Sequence, residues 1–287
     1  MSSTFTAVPP LSRFLTFIRF SHTVFALPFA LGSMVVAADG CPGWRIFALI
    51  LLCMVFARTA AMTFNRITDW EIDQRNPRTS GRHKLLGKGS AIVTCVVSAA
   101  LFVVTTVFLN HLCLLLSPVA LAIIFFYSLT KRFTHAAQIF LGLALSVSPV
   151  GAWLAVTGSF AWPPILLAAG VLCWVAGFDI IYATQDLEAD RREGLRSMVV
   201  WLGIPRALRV AGLLHILMLA GLIAFGLSAH LGRIYWWGLL PVPFLLAYEH
   251  RIAASLDVGK INKAFFETNA VIGLLFLAIT FADRLVH

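Results

Sequence analysis

Residues 44–73 read WRIFALILLCMVFARTAAMTFNRITDWEID, and the order of chemistry along that stretch decides how the chain is built. Its first two-thirds are almost entirely apolar, and about 20 such residues are what a helix needs to cross the hydrocarbon core of a bilayer. The run then ends in Asn65, Asp69 and Asp73, spaced i, i+4, i+8. At 3.6 residues per turn these three share one helix face, so a membrane-crossing helix finishes in an acidic ridge. Arg58, seven residues before Asn65, lies on the same face and deeper. It pairs either with a carboxylate of a bound acceptor molecule or with one of the aspartates.

Outward from this segment the same composition recurs. Of 287 residues, 60% are apolar and 12% charged, far from the balance of a soluble domain. Nine stretches are apolar enough to span: Thr23–Ala38, Trp44–Phe64, Ser90–Leu109, Leu112–Thr130, Ala136–Val156, Pro163–Gln185, Leu208–Ser228, Tyr235–Tyr248 and Thr268–Leu285. They predict an all-α, polytopic membrane protein, one domain over residues 1–287 whose helices surround a central cavity, with a flexible tail over 1–12. The first stretch follows Arg13 and Arg19 and alone would pass for a signal sequence. Eight further spans favour a first transmembrane helix.

The basic residues sort by side. Eighteen of the 22 lysines and arginines fall on one side of nine alternating helices, while Arg45, Arg233 and Arg284 fall on the other. This positive-inside pattern predicts a cytoplasmic N-terminus in a bacterial inner membrane. It also disposes of nucleic acid as the reason for the net charge of +9. The five cysteines show no CxxC or Cys/His ligand spacing and read as packing residues. Nothing in the pattern marks an obligate protein partner.

Of the thirteen acidic residues, eight fall in two windows: Asp69, Glu71 and Asp73, then Asp179, Asp186, Glu188, Asp190 and Glu193. Each window closes an even-numbered span, so both are expected on the same, cytoplasmic side. Asp186 and Asp190 are i, i+4, and Asp179 lies about two turns earlier on the same face. A charge within a span costs about 2.5–3.5 kcal/mol even on insertion scales, which makes Asp179 a functional residue by default. Like charges at i, i+4 repel, and a divalent ion relieves them. Hard oxygen ligands select Mg²⁺, which is typically held by one or two carboxylates together with phosphate groups. Two such ridges, Asn65, Asp69 and Asp73 on one and Asp179, Asp186 and Asp190 on the other, therefore predict a magnesium diphosphate between them. Arg75, Arg78, Arg82, Lys131, Arg132 and Arg196 stand where they would neutralise its phosphates. Arg192, Arg206, Lys260 and Lys263 read as topology-setting charges, and Glu71, Glu188 and Glu193 as solvated.

These residues resemble the UbiA superfamily of intramembrane prenyltransferases, and the likeness runs through most of the chain. Asn65, Asp69 and Asp73 followed by Asn76-Pro77-Arg78-Thr79 and Arg82 are similar to its first signature. Asp179-Ile-Ile-Tyr182-Ala183-Thr-Gln185-Asp186-Leu-Glu-Ala-Asp190 is similar to its second, and Tyr127-Ser-Leu-Thr-Lys131-Arg132-Phe133-Thr134 to a third segment. Phe20–Phe29 looks like the quinone-pathway branch, whose members prenylate 4-hydroxybenzoate or a dihydroxynaphthoate. The resemblance implies polyprenyl diphosphate and an aromatic acid as substrates, Mg²⁺ as cofactor and lipid as the surrounding medium. It implies Lys131 and Tyr182 at the diphosphate, and Arg58 and Tyr127 near the acceptor. One departure stands out: Arg66 occupies the position of the family's usual first aspartate, which removes a possible metal ligand, leaves Asn65, Asp69 and Asp73 to bind one metal, and sets Arg66 to contact either phosphate or the acceptor's carboxylate.

Two other classes of function fit the pattern less well. An ion-coupled transporter would place its acids near mid-membrane on broken helices, whereas here they sit at one surface. A CDP-alcohol phosphotransferase would need an Asp-Gly-x-x-Ala-Arg signature, which is missing.

Overall fold

A backbone surrounded by hydrocarbon must satisfy its own N–H and C=O groups, and a chain this apolar does so by forming helices. The computed structural model describes residues 10–19, 23–75 and 79–286. Within them the helices run α1 (Pro10–Phe17), α2 (Thr23–Ala37), α3 (Trp44–Thr68), α4 (Trp70–Arg75), α5 (Lys88–Val107), α6 (His111–Thr130) and α7 (Ala137–Thr157). They continue with α8 (Trp162–Ala183), α9 (Leu187–Arg192), α10 (Met198–Leu202), α11 (Ile204–Ser228), α12 (Arg233–Leu239), α13 (Pro241–Ala253) and α14 (Val258–Val286). Among the described residues no strand occurs. Seven helices are long and apolar enough to cross a membrane: α3, α5, α6, α7, α8 with its continuation to Arg192, α11 and α14.

The remaining two of the nine expected spans are shorter. The first, α2, has 15 residues and contains Pro28. The eighth is divided into α12 and α13. Pro241 has no N–H to offer the Trp237 carbonyl, and that carbonyl takes the Leu240 N–H instead (3.4 Å). Helix α14 starts at Val258 rather than Thr268, because the helix continues beyond its apolar window through an exposed polar turn containing Lys260 and Lys263. Residues 10–12, expected in the flexible tail, open α1 instead; the rest of that tail lies outside the described residues.

The two ends of the bundle differ in charge. At one end Arg75 and Glu193 pair at 3.0 Å, and Arg13 donates to the Lys84 carbonyl (2.8 Å). At the other, Arg284 pairs with Asp39 at 3.1 Å, Arg45 donates to the Phe108 carbonyl (3.0 Å), and Asp283 accepts the Gly232 N–H (2.7 Å) where Arg233 opens α12. The three arginines that the sequence pattern separated from the rest thus gather opposite the acidic windows.

Helix α8 is the central stave, packed between α7 and α11. Its Trp174, Val175 and Phe178 enter a buried cluster with Phe25, Phe29, Phe225, Tyr235 and Phe276. Trp174 Nε1 donates to Asn269 Oδ1, and Asn269 Nδ2 to Glu249 Oε1, each at 2.7 Å, which ties α8, α13 and α14 together. In lipid, helices gain by close approach of small residues rather than by excluding water. A Cβ added to Gly142 on α7 would sit 2.4 Å from the Leu172 carbonyl oxygen, and one added to Gly221 on α11 would sit 2.7 Å from Gly170 Cα. Gly221→Ala is therefore expected to cost about 1–3 kcal/mol through overpacking and to lower Tm by several degrees. Gly212→Ala, whose Cβ would meet only His250 at 3.8 Å, serves as the control. Equal Tm values for the two variants in a detergent melt would contradict this account of the α8–α11 contact.

Candidate active site

The first acidic ridge is built across a helix joint. Helix α3 stops at Thr68, Asp69 is its C-terminal cap, and α4 begins at Trp70. The i→i−4 ladder runs through the joint regardless. The Asp69 N–H donates to the Asn65 carbonyl (3.0 Å) and the Asp73 N–H to the Asp69 carbonyl (2.7 Å), so the three side chains keep helical register. The second ridge departs from the straight stripe that the spacing predicts. Helix α8 ends at Ala183, residues 184–186 form a 3₁₀ turn, and α9 carries the chain on to Arg192. A 3₁₀ turn advances three residues per turn instead of 3.6, which re-aims Asp186 relative to Asp179. Asp186 and Asp190 are both buried.

Both ridges open into one cavity of about 420 Å³. Asn65, Asp69 and Asp73 line it from α3 and α4, and Asp179, Asp186 and Asp190 from α8 and α9. Arg58, Arg66, Tyr127, Lys131, Arg132 and Tyr182 line it as well. Away from the acids the wall is apolar, reaching Ile50, Phe102, Leu109 and Cys113 near the other end of the bundle. Along α3 alone, Ile50 and Asp69 are separated by about 28 Å at 1.5 Å per residue.

The turn after α6 lies between the ridges. Lys131 Nζ is 3.8 Å from Asp190, and Arg132 is 3.5 Å from Asp69 while also donating to the Thr68 carbonyl. Burial by itself would lower the Lys131 pKa. The surrounding carboxylates of Asp190, Asp179, Asp186 and Asp69 outweigh that effect and hold it above the ordinary lysine range. Asp69 is pushed above the usual carboxylate range by burial first and by neighbouring Asp73 second, with Lys131 and Arg132 opposing. Arg66 is buried at 5% exposure, 3.6 Å from Asp73, and its Nε donates to the Phe17 carbonyl (3.5 Å). Arg58 donates from Nη2 to the Arg19 carbonyl (3.4 Å). Its buried Nε–H has no partner among the described residues.

One expected site residue is placed elsewhere. Arg196 is not among the cavity's lining residues. Its N–H donates to the Lys131 carbonyl and its Nη1 to the Phe133 carbonyl, both at 2.7 Å, so it braces the turn that presents Lys131 and Arg132. Arg78 and the side chain of Arg82 lie outside the described residues. Sequence reasoning passed over Glu193, taken as solvated, which joins the two acidic segments through Arg75. It also passed over an aromatic wall beside Asp179, in which Phe25, Phe178 and Phe265 meet tilted or edge to face with centroids 5.2–5.5 Å apart, next to the expected Tyr182 at 4.6 Å from Phe265. Cys53 and Cys113, read only as packing residues, line the cavity. No sequence signal distinguishes an aromatic or thiol that faces a cavity from one that faces lipid.

The family model described as the UbiA prenyltransferase family matches residues 26–278. The chain belongs to the UbiA prenyltransferase family. A 4-hydroxybenzoate octaprenyltransferase of Vibrio atlanticus is 32% identical over 84% of this chain and 86% of its own length. One of Nitrosospira multiformis is 33% identical over 88% and 87%. A UbiA homologue from Aeropyrum pernix superposes with a TM-score of 0.82 at 28% identity, covering 91% of this chain and 98% of that one. A UbiA homologue from Archaeoglobus fulgidus, solved with GPP and Mg²⁺, superposes at 0.71 with 23% identity over 95% and 99% of the chains and shares the fold.

The site of this UbiA-family chain can be tested against a divalent ion on its own donors. Among the described residues no group of three His, Cys, Asp or Glu side chains already converges on a metal position. The donor set is nevertheless of the kind Mg²⁺ takes, since that ion uses one or two carboxylates and completes its octahedron with water and substrate phosphate. Carboxylates from both ridges, Asp186 and Asp190 of them buried, line one cavity, with cations 3.5–3.8 Å away from Asp69, Asp73 and Asp190.

Proposed function

We propose that this chain transfers a polyprenyl group from polyprenyl diphosphate to an aromatic acid of the 4-hydroxybenzoate type, in quinone biosynthesis, at the cytoplasmic face of a membrane. The reading rests on one observation: two acidic ridges far apart in sequence share a cavity whose wall away from them is largely apolar. Relatives covering most of the chain carry the name 4-hydroxybenzoate octaprenyltransferase. The excess of lysine and arginine at the acidic end supports the cytoplasmic assignment.

Asn65, Asp69 and Asp73, with Asp179, Asp186 and Asp190, are the residues that hold Mg²⁺. The bound ion supplies positive charge to the departing diphosphate. Lys131, Arg132 and Arg82 grip the phosphate oxygens, and Tyr182 borders them. As the allylic C–O bond breaks, its electron pair leaves with the diphosphate. Phe25, Phe178 and Phe265 line the cavity there and exclude water from the carbon left behind. A ring carbon of the acceptor forms the new bond, and the ring proton passes to a cavity carboxylate, Asp179 or Asp186. Arg58 receives the acceptor's carboxylate through the Nε–H that has no partner among the described residues, next to Tyr127. The polyprenyl tail runs along the apolar wall towards Ile50 and Leu109.

The reading is tested by mass spectrometry of membranes containing the chain, supplied with geranyl or longer diphosphates and either 4-hydroxybenzoate or dihydroxynaphthoate. Prenylated 4-hydroxybenzoate is the expected product. Dihydroxynaphthoate product alone would move the acceptor to the menaquinone-type branch, and product from neither would remove the aromatic-acid assignment. Arg58→Met is expected to raise KM for the aromatic acid at least about tenfold, about 1.4 kcal/mol of binding, while leaving KM for the prenyl diphosphate unchanged. Parallel losses for both substrates would argue against an acceptor role.

A further inference from the structure

We infer that Gly151 on α7 sets which prenyl donors this chain accepts, because its missing side chain leaves the width that a long isoprenoid tail needs to pass along the cavity. The inference rests on the prenyl transfer reading given above and names the residue that governs donor length within it.

A glycine inside a helix costs about 0.5–1 kcal/mol relative to alanine, so its place in a helix calls for a reason. For Gly142 on the same helix and Gly221 on α11 the reason is close packing, since an added Cβ would meet the α8 backbone at 2.4 and 2.7 Å. Gly151 is different. A Cβ added there meets no atom of the described residues within 4 Å, although the residue is half-buried. It lines the cavity, so the space its side chain would fill is cavity space.

The residue also stands at a definite depth. Ala137 lines the cavity where α7 begins, and Gly151 follows 14 residues later, about 21 Å at 1.5 Å per residue. The same rise taken back from Lys131 along α6 and from Asp69 along α3 arrives near Ser117 and Met54, which line the cavity too. About four extended isoprene units fill such a length. Beyond this level the cavity goes on to Ala155 and Ile50. A geranyl or farnesyl tail therefore ends short of Gly151, whereas a nonaprenyl tail has to pass it.

The walls at this level suit hydrocarbon and are held still. Ser117 donates to the Leu114 carbonyl and Ser148 to the Leu145 carbonyl, each at 2.8 Å, so both hydroxyl hydrogens are turned back on their own helices. The Leu145 carbonyl is the one that Pro149, lacking an N–H, leaves without its helical partner. On the other side of the same turn, Ser33 of α2 donates to the Pro149 carbonyl (2.7 Å). The segment carrying Gly151 is thus pinned from both sides, and the opening beside it is a fixed feature of the wall.

The experiment compares donors by steady-state kinetics on the purified full-length chain in detergent, with Mg²⁺ and the aromatic acid it prenylates. The readout is the ratio of kcat/KM for nonaprenyl diphosphate to kcat/KM for geranyl diphosphate, which a general loss of folded protein leaves unmoved. Gly151→Leu is expected to lower that ratio at least about tenfold, with the discrimination setting in between farnesyl and longer donors. Gly151→Ala, which favours the helix, is expected to lower it about threefold and decides the matter if Gly151→Leu does not fold. A ratio equal to that of wild type in the folded variants, or discrimination that already separates geranyl from farnesyl, would overturn the assignment. Wild type that makes no prenylated product from any donor would bring down the prenyl transfer reading and this inference together. Product formed with a ratio indifferent to residue 151 would leave that reading standing and remove only the role of Gly151.

Discussion

Asp186→Asn is expected to reduce prenyl transfer about 10²–10³-fold at every Mg²⁺ concentration, the scale seen when a preorganised electrostatic contact to a transition state is removed. The substitution changes charge and leaves shape nearly untouched. Asp186 sits on the 3₁₀ turn that faces it into the cavity opposite Asp69, and an amide there offers a divalent ion much less than a carboxylate does. Because the residue is 7% exposed, bulk water cannot make good the lost charge. Asp69→Asn on the opposite ridge is expected to lose activity as well, but less steeply, since Arg66 and Arg132 remain beside it to meet the phosphates. Turnover by either variant should be followed across an Mg²⁺ titration, with gel filtration to show that each stays folded. Unchanged turnover that persists in EDTA would end the metal-assisted mechanism.

Lys131→Met is expected to lower kcat/KM for the prenyl diphosphate by about 10²-fold, with Lys131→Arg recovering part of the loss. Lys131 lies on a turn that reaches both ridges, where Asp190, Asp179, Asp186 and Asp69 hold its ammonium protonated against the effect of burial. Removing it deprives the diphosphate of a fixed positive charge and also leaves the carboxylates of the second ridge closer to mutual repulsion. The loss should therefore grow at low Mg²⁺ and shrink at high Mg²⁺, a dependence that a packing defect would not show. The same reasoning gives Arg196→Ala a smaller effect of the same kind, since it removes only the side-chain bond to the Phe133 carbonyl that braces the turn, while the backbone bond to the Lys131 carbonyl remains. Steady-state kinetics with the diphosphate as varied substrate separates these outcomes, and a loss at Lys131 that is indifferent to Mg²⁺ would count against its contact with the leaving group.

The amino-acid sequence by itself determined that the chain is helical, that it is apolar enough to cross a membrane repeatedly and that its acids form two ridges. These properties follow from composition and from the 3.6-residue period, which depend on near neighbours alone. The i, i+4, i+8 spacing of Asn65, Asp69 and Asp73 survived even the joint between α3 and α4, because the backbone ladder runs through it. Tertiary structure decided what local spacing cannot encode. The 3₁₀ turn before α9 set the direction of Asp186, packing carried Arg196 away from the cavity to brace a neighbouring turn, and Glu193 became a link between segments through Arg75. Which of many apolar aromatics, such as Phe178 and Phe265, face the cavity rather than lipid was likewise settled by helix rotation. In a chain whose buried and lipid-facing surfaces are equally apolar, no pattern of hydrophobicity marks the inner face, and only contacts between helices distant in sequence select it.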